Sequence, residues 1–189
     1  KKTRIEVGAQ NCHENESYGA FTGSINSTML KNVGAKYVII GHSENRKAGE
    51  NDKIINIKIK SALKSGLKVI FCVGESLQEK RKKVTKQVLA KQIKLGLNKI
   101  KVRNKNNIII AYEPVWAIGT GLIPKTNDLL KTIDFIKNKI KSFKVLYGGS
   151  VNSKNIKELK SIDNIDGFLV GGASQDSKKF IDIIQKSYS

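Results

Sequence analysis

The sequence predicts a parallel α/β fold, and three observations carry that expectation. Short β-branched runs alternate with helical stretches, the runs are almost continuously apolar, and polar or glycine-rich motifs follow them directly. The first run is Ile5 to Ala9, the second Tyr37 to Gly41 and the third Leu67 to Val73. After the third, Val84, Val88, Ile93, Leu97 and Ile100 recur close to every fourth residue, one apolar stripe on an otherwise lysine-rich helix. The fourth run is Ile108 to Tyr112, the fifth Lys144 to Tyr147 and the sixth Gly167 to Val170. A run such as Ile108 Ile109 Ile110 Ala111 is apolar on both faces, as a strand must be when helices cover one side and a packed interior fills the other. About six β/α units can be counted, whereas a closed barrel of this kind has eight. Periodicity alone leaves an open sheet and a barrel lacking two units as equal readings.

With 189 residues and 39% hydrophobic content, the chain reads as a single domain over residues 1–189. Two prolines and 16 glycines leave no linker-like tract. The formal net charge of +19 raises a nucleic-acid partner, but the lysines are spread between apolar residues, as in Lys58 Ile59 Lys60, without interleaved stacking aromatics. Solvated helix faces account for that pattern, so no nucleic-acid partner is expected, although a basic surface can steer an anionic substrate. Lys1 Lys2 Thr3 Arg4 precede no apolar stretch long enough for a signal or a membrane segment, so no membrane partner is expected. Cys12 and Cys72 stand far apart with no zinc-like spacing, which reads as free thiols in a reducing compartment, the cytoplasm, with no metal. The chain opens on Lys1 rather than Met and runs straight into a strand-like stretch, which points to an upstream portion.

Four motifs follow strands, at the end where barrels of this kind hold their chemistry. They are Gly41 His42 Ser43 Glu44, the stretch from Ala111 to Gly121, Tyr147 Gly148 Gly149 Ser150, and Leu169 Val170 Gly171 Gly172 Ala173 Ser174. Glu113 ends an apolar strand, where partial burial would raise its pKa and make it a competent carbon base. Taken alone, a strand-end Glu before Pro is more often a solvated cap. His42 sits at a helix start, whose positive dipole end would hold the imidazole neutral; a single loop His is more often structural. Gly148 Gly149 and Gly171 Gly172 follow the last two strands, where backbone amides can cradle a phosphate, the bland reading being ordinary tight turns. Cys72 reads as core filling.

These motifs, with Ala9 Gln10 Asn11 Cys12 and Gly19 Ala20 Phe21 Thr22 Gly23, resemble triosephosphate isomerase from its third strand onward. The resemblance implies a (β/α)8 TIM barrel, here N-terminally truncated to about six units, interconverting dihydroxyacetone phosphate and glyceraldehyde 3-phosphate in glycolysis and gluconeogenesis. By its match to the family pattern, Glu113 resembles the proton-moving base and His42 the group that polarises the carbonyl. Gly119, Ser150, Gly171 and Gly172 match phosphate-binding positions. Pro114, Val115, Trp116, Ala117, Ile118, Gly119, Thr120 and Gly121 resemble the mobile lid, and Thr22 resembles the residue that reaches a neighbouring subunit in a homodimer. No cofactor is implied. The family also carries an Asn and a Lys after its first strand, the Lys pairing with the Glu that Glu44 matches. Neither has a counterpart here, so the chain by itself is expected to be inactive. The alternatives are a catalytically dead phosphate-binding barrel fragment and another phosphate-binding barrel enzyme.

Overall fold

A computed structural model describes residues 5–101, 106–141 and 143–188; the basic start at Lys1 to Arg4 lies outside the described residues. Six strands form one sheet in chain order: β1 (Gly8–Ala9), β2 (Tyr37–Ile40), β3 (Lys68–Val73), β4 (Ile108–Tyr112), β5 (Lys144–Tyr147) and β6 (Gly167–Phe168). The pairs β1–β2, β2–β3 and β5–β6 are parallel, with Val38 opposite Val69 and Tyr147 opposite Phe168. The helices are α1 (Ser27–Asn32), α2 (Ser43–Lys47), α3 (Asp52–Lys64), α4 (Leu77–Arg81), α5 (Thr85–Gly96), α6 (Thr126–Lys139), α7 (Ile156–Lys160) and α8 (Ser177–Tyr188).

The strand runs expected at 108–112 and 144–147 appear with those bounds, while the first and last are shorter than the apolar runs that announce them. β1 keeps only Gly8 and Ala9, and Ile5 and Val7 are exposed rather than packed. β6 stops at Phe168, so Leu169 and Val170 already belong to the following loop, although the Leu169 amide still donates to the Tyr147 carbonyl at 2.9 Å. The apolar stripe after β3 also needs correction. Its helix is α5, which ends at Gly96 and leaves Leu97 and Ile100 beyond it; the fully buried positions are Leu89, Ile93 and Gly96. Gly96 is compelled by packing, since a Cβ there would overlap the ring of Phe71.

The chain divides into two compact units, residues 1–72 with 91–109, and residues 73–90 with 110–189. In the first, α3 buries Ile55, Ile59 and Ala62, spaced four and three residues apart, and β2 and β3 contribute Val38, Ile40, Val69 and Phe71. Each of the valine, isoleucine and phenylalanine side chains among them contributes about 1.5–3 kcal/mol when fully buried. Asn51 caps α3 by accepting from the amides of Lys53 and Ile54. Lys58, on the same helix, is buried in an ion pair with Glu50 and donates to Asn11 Oδ1 at 3.2 Å, tying the helix to the loop after β1. The second unit repeats the helical spacing in α6, which buries Leu129, Ile133 and Ile136. Tyr147 of β5 and Ile156 and Leu159 of α7 are buried in the same unit.

Candidate active site

In the first unit, Gly41 leaves β2 with φ +79°, a turn that a side chain rarely adopts, and delivers His42 to the start of α2. Arg46 fixes that turn: its Nε donates to the Gly41 carbonyl at 2.8 Å, its Nη2 to the Cys72 carbonyl at 3.3 Å, and its Nη1 pairs with Asp52 at 2.8 Å. The Nδ1 atom of His42 accepts the Glu44 amide hydrogen at 3.3 Å. An accepting Nδ1 leaves Nε2 to carry the proton of a neutral imidazole, which is the donor that polarisation of a carbonyl requires. Glu44 itself is exposed. Thr22 is exposed at the tip of a loop held at its base by the His13 amide on the Ile25 carbonyl and by Asn26, whose amide group donates to the Glu16 and Ser17 carbonyls. Cys12, at the root of this loop, is buried, and that burial pushes its thiol up to about 11, partly offset by the Lys58 ammonium.

In the second unit Glu113 follows β4 directly and is only 2% exposed, so the solvated-cap reading does not hold. Its amide donates to the Val73 carbonyl at 2.8 Å. Two glycines seat it: a Cβ on Gly74 would overlap the Glu113 carbonyl, and a Cβ on Gly148 would stand 2.9 Å from the Glu113 Cγ. The base expected at the end of β4 and the glycine motif after β5 therefore meet. Gly148 lies equally against Leu169, which heads the motif after β6.

The lid segment begins with a short 3₁₀ turn, Val115–Ala117. Pro114 and Ala117 are buried, Val115, Trp116 and Ile118 are half-buried, and Gly119, Thr120 and Gly121 are exposed. Gly119 and Gly121 have φ values of +68° and +77°, so these two positions take a backbone that other residues resist. The Thr120 hydroxyl braces the turn by donating to the Ala117 carbonyl at 3.2 Å and accepting from the Leu122 amide at 3.2 Å. Beyond β5, Ser150 is half-buried, and its carbonyl accepts from the Asn155 side chain at 3.0 Å. Gly171 and Gly172 are exposed at the start of a second 3₁₀ turn, Gly172–Gln175, with nothing within 4 Å of a Cβ placed on either.

The family model described as triosephosphate isomerase matches residues 1–187. The triosephosphate isomerase of Thermodesulfovibrio yellowstonii is 46% identical over 192 residues, covering 97% of this chain and 77% of the relative. The chain belongs to the triosephosphate isomerase family. The family's enzyme from Carboxydothermus hydrogenoformans is likewise 46% identical, over 195 residues, covering 98% of this chain and 77% of its own. The crystal structure of triosephosphate isomerase from Bartonella henselae matches with a TM-score of 0.88 at 38% identity, covering 98% of this chain and 77% of that one. That likeness places the parallel α/β arrangement in the TIM-barrel class.

Sequence reasoning missed Glu75, which lies in the same unit as Glu113 and the lid. This residue is 1% exposed and accepts from the Trp116 Nε1 at 2.8 Å and from the Tyr112 hydroxyl at 3.1 and 3.2 Å. The Val115 amide donates to its carbonyl at 3.0 Å. Burial raises the Glu75 carboxyl above its usual range, against the opposing pull of the Trp116 and Tyr112 donors. The signal was present: Gly74 Glu75 Ser76 follows β3 just as the other polar motifs follow their strands. Among the described residues, no group of His, Cys, Asp and Glu is placed to hold a metal ion, and no helix is long and apolar enough to cross a membrane.

Proposed function

We propose that this chain carries the chemistry of an aldose–ketose isomerase of glycolysis and gluconeogenesis, which interconverts dihydroxyacetone phosphate and D-glyceraldehyde 3-phosphate through an enediolate. The observation that carries this is Glu113, a carboxylate withdrawn from water at the end of β4, seated on Gly148 and followed at once by a lid segment. Burial strips away the water that would otherwise stabilise its charge, which suits a base acting on a weakly acidic carbon. In the forward direction Glu113 takes the proton from the carbon beside the carbonyl. His42 donates its Nε2 hydrogen to the developing oxyanion, and Glu113 returns a proton to the neighbouring carbon, the reaction for which a carboxylate base and a neutral imidazole are the standing example. Gly119, Ser150, Gly171 and Gly172 hold the phosphate, and closure of Pro114 to Gly121 excludes water that would otherwise intercept the intermediate.

The exposed Tyr18, Phe21 and Ile25 around Thr22 support the reading of that loop as a dimer contact, with a second copy of the chain as the partner. A cytoplasmic location accords with two buried cysteines, Cys12 and Cys72, that stand far apart in the sequence. The decisive experiment is Glu113→Gln in the purified enzyme, assayed on triose phosphates. Turnover should fall by roughly three or more decades while affinity for a phosphate ligand changes little. Near-native turnover in that variant would remove Glu113 from the chemistry. His42→Gln should be impaired by less, because an amide still donates to the carbonyl.

A further inference from the structure

Behind the first turn of the lid, in the second unit, lies a cavity of about 290 Å³. Glu75, Tyr112 and Trp116 line it together with Lys80, Lys83, Lys86 and Lys131, contributed by α4, the turn after it, α5 and α6. Two carboxylates, Glu75 and Asp128, face four ammonium groups, and Glu75 is already committed to Trp116 and Tyr112. Among the described residues none of the four lysines forms an ion pair. Lys80 instead stands 3.1 Å over the Trp116 ring and Lys86 5.6 Å from the Phe135 centroid. A second cavity of about 450 Å³ shares Lys86 and Lys131 and adds Lys139, itself 5.7 Å from the same ring.

Lysines gathered around one hollow repel one another; Glu75 and Asp128 offset part of that charge, and the excess is relieved by counterions from solution. We propose that this hollow is a binding site for a small polyanion of the di- or polyphosphate class, and that its occupancy is coupled to the lid through Lys80 and Trp116. Four ammonium groups against two carboxylates leave an excess of positive charge that a ligand with several phosphate charges offsets better than a single phosphate does. The coupling follows from competition. The Lys80 ammonium that stacks on Trp116 is the same group that a bound anion would attract, and Trp116 lies in the first turn of the lid. This inference stands on the cavity and its charges and does not depend on the isomerase chemistry.

Trp116 is the single tryptophan of the chain, so its emission reports on the site directly. Titration of the native protein with pyrophosphate at constant ionic strength should give a saturable change in that emission, ATP should behave similarly, and orthophosphate should bind more weakly. Lys83→Gln with Lys131→Gln removes two exposed ammonium groups that come from different segments of the lining, and should weaken pyrophosphate binding at least tenfold while leaving the far-ultraviolet spectrum unchanged. The charge-matched control Lys53→Gln with Lys94→Gln, two exposed lysines of α3 and α5 that line neither cavity, should leave the titration as it is. A linear response without saturation, an equal affinity in the Lys83 and Lys131 double variant, or an equal loss in the charge-matched control would each overturn the proposal, the last by assigning the effect to net charge alone.

Discussion

After β5 the chain runs Gly148 Gly149 Ser150, and after β6 it runs Gly171 Gly172 Ala173; the two stretches look alike in sequence and obey different constraints. A Cβ on Gly148 would press on Glu113, and one on Gly149 would overlap the hydroxyl end of Tyr147, a ring with no exposure at all. A Cβ on Gly171 or Gly172 would meet open space. The first pair is therefore required by the folded chain itself. The second meets no such obstruction among the described residues, so its proposed role in holding a phosphate rests on the ligand measurements below.

That contrast can be broken most forcefully at Gly74, where the obstruction is backbone rather than side chain. Gly74→Ala should cost at least ~3 kcal/mol in chemical denaturation, because the Glu113 carbonyl cannot retreat without loss of the amide bond to Val73. A loss below ~1 kcal/mol would mean that the seat of Glu113 is soft. At the β5 pair, Gly149→Ala and Gly148→Ala should each cost about 1–3 kcal/mol. Gly148→Ala should in addition lower turnover more than it weakens phosphate-ligand binding, since it displaces the Glu113 side chain.

The β6 pair should respond in the opposite sense. Gly171→Ala and Gly172→Ala should stay within ~0.5 kcal/mol of native stability, as open surface positions do, yet weaken a phosphate ligand measured by calorimetry. Unchanged affinity in both variants would return this pair to an ordinary turn. The smallest effect is expected where the rule is inverted. Lys99, in the turn after α5, holds φ +58° without being glycine, so Lys99→Gly should raise the denaturation midpoint by the equivalent of about 0.5–1 kcal/mol.

The strand-end motifs were legible because each joins an apolar run to residues with distinct chemistry, and Glu113, His42 and the lid segment lie where those joins place them. Glu75 was not read, although Gly74 Glu75 Ser76 has the same form. Its role depends on a tryptophan and a tyrosine some forty residues away in sequence, and no local spacing records such a meeting. The β1 run was overread for a related reason: Ile5 and Val7 have strand-like side chains, but both side chains stay exposed, and although the Val7 carbonyl accepts from the Lys36 amide at 2.8 Å, the strand itself is limited to Gly8 and Ala9.

What the sequence determined by itself is the alternation of strand and helix, the family, and which residues are candidates for the chemistry. These are properties of periodicity and of side-chain type, and both are local. What only the tertiary structure decided is which of those residues are withdrawn from water and what touches them. Glu113 is buried because Gly74 and Gly148 leave room for it, Glu75 is held by Trp116 and Tyr112, and four lysines from separate segments share one hollow. Burial and charge proximity are set by distances between segments far apart in the chain, and a linear order of residues does not contain those distances.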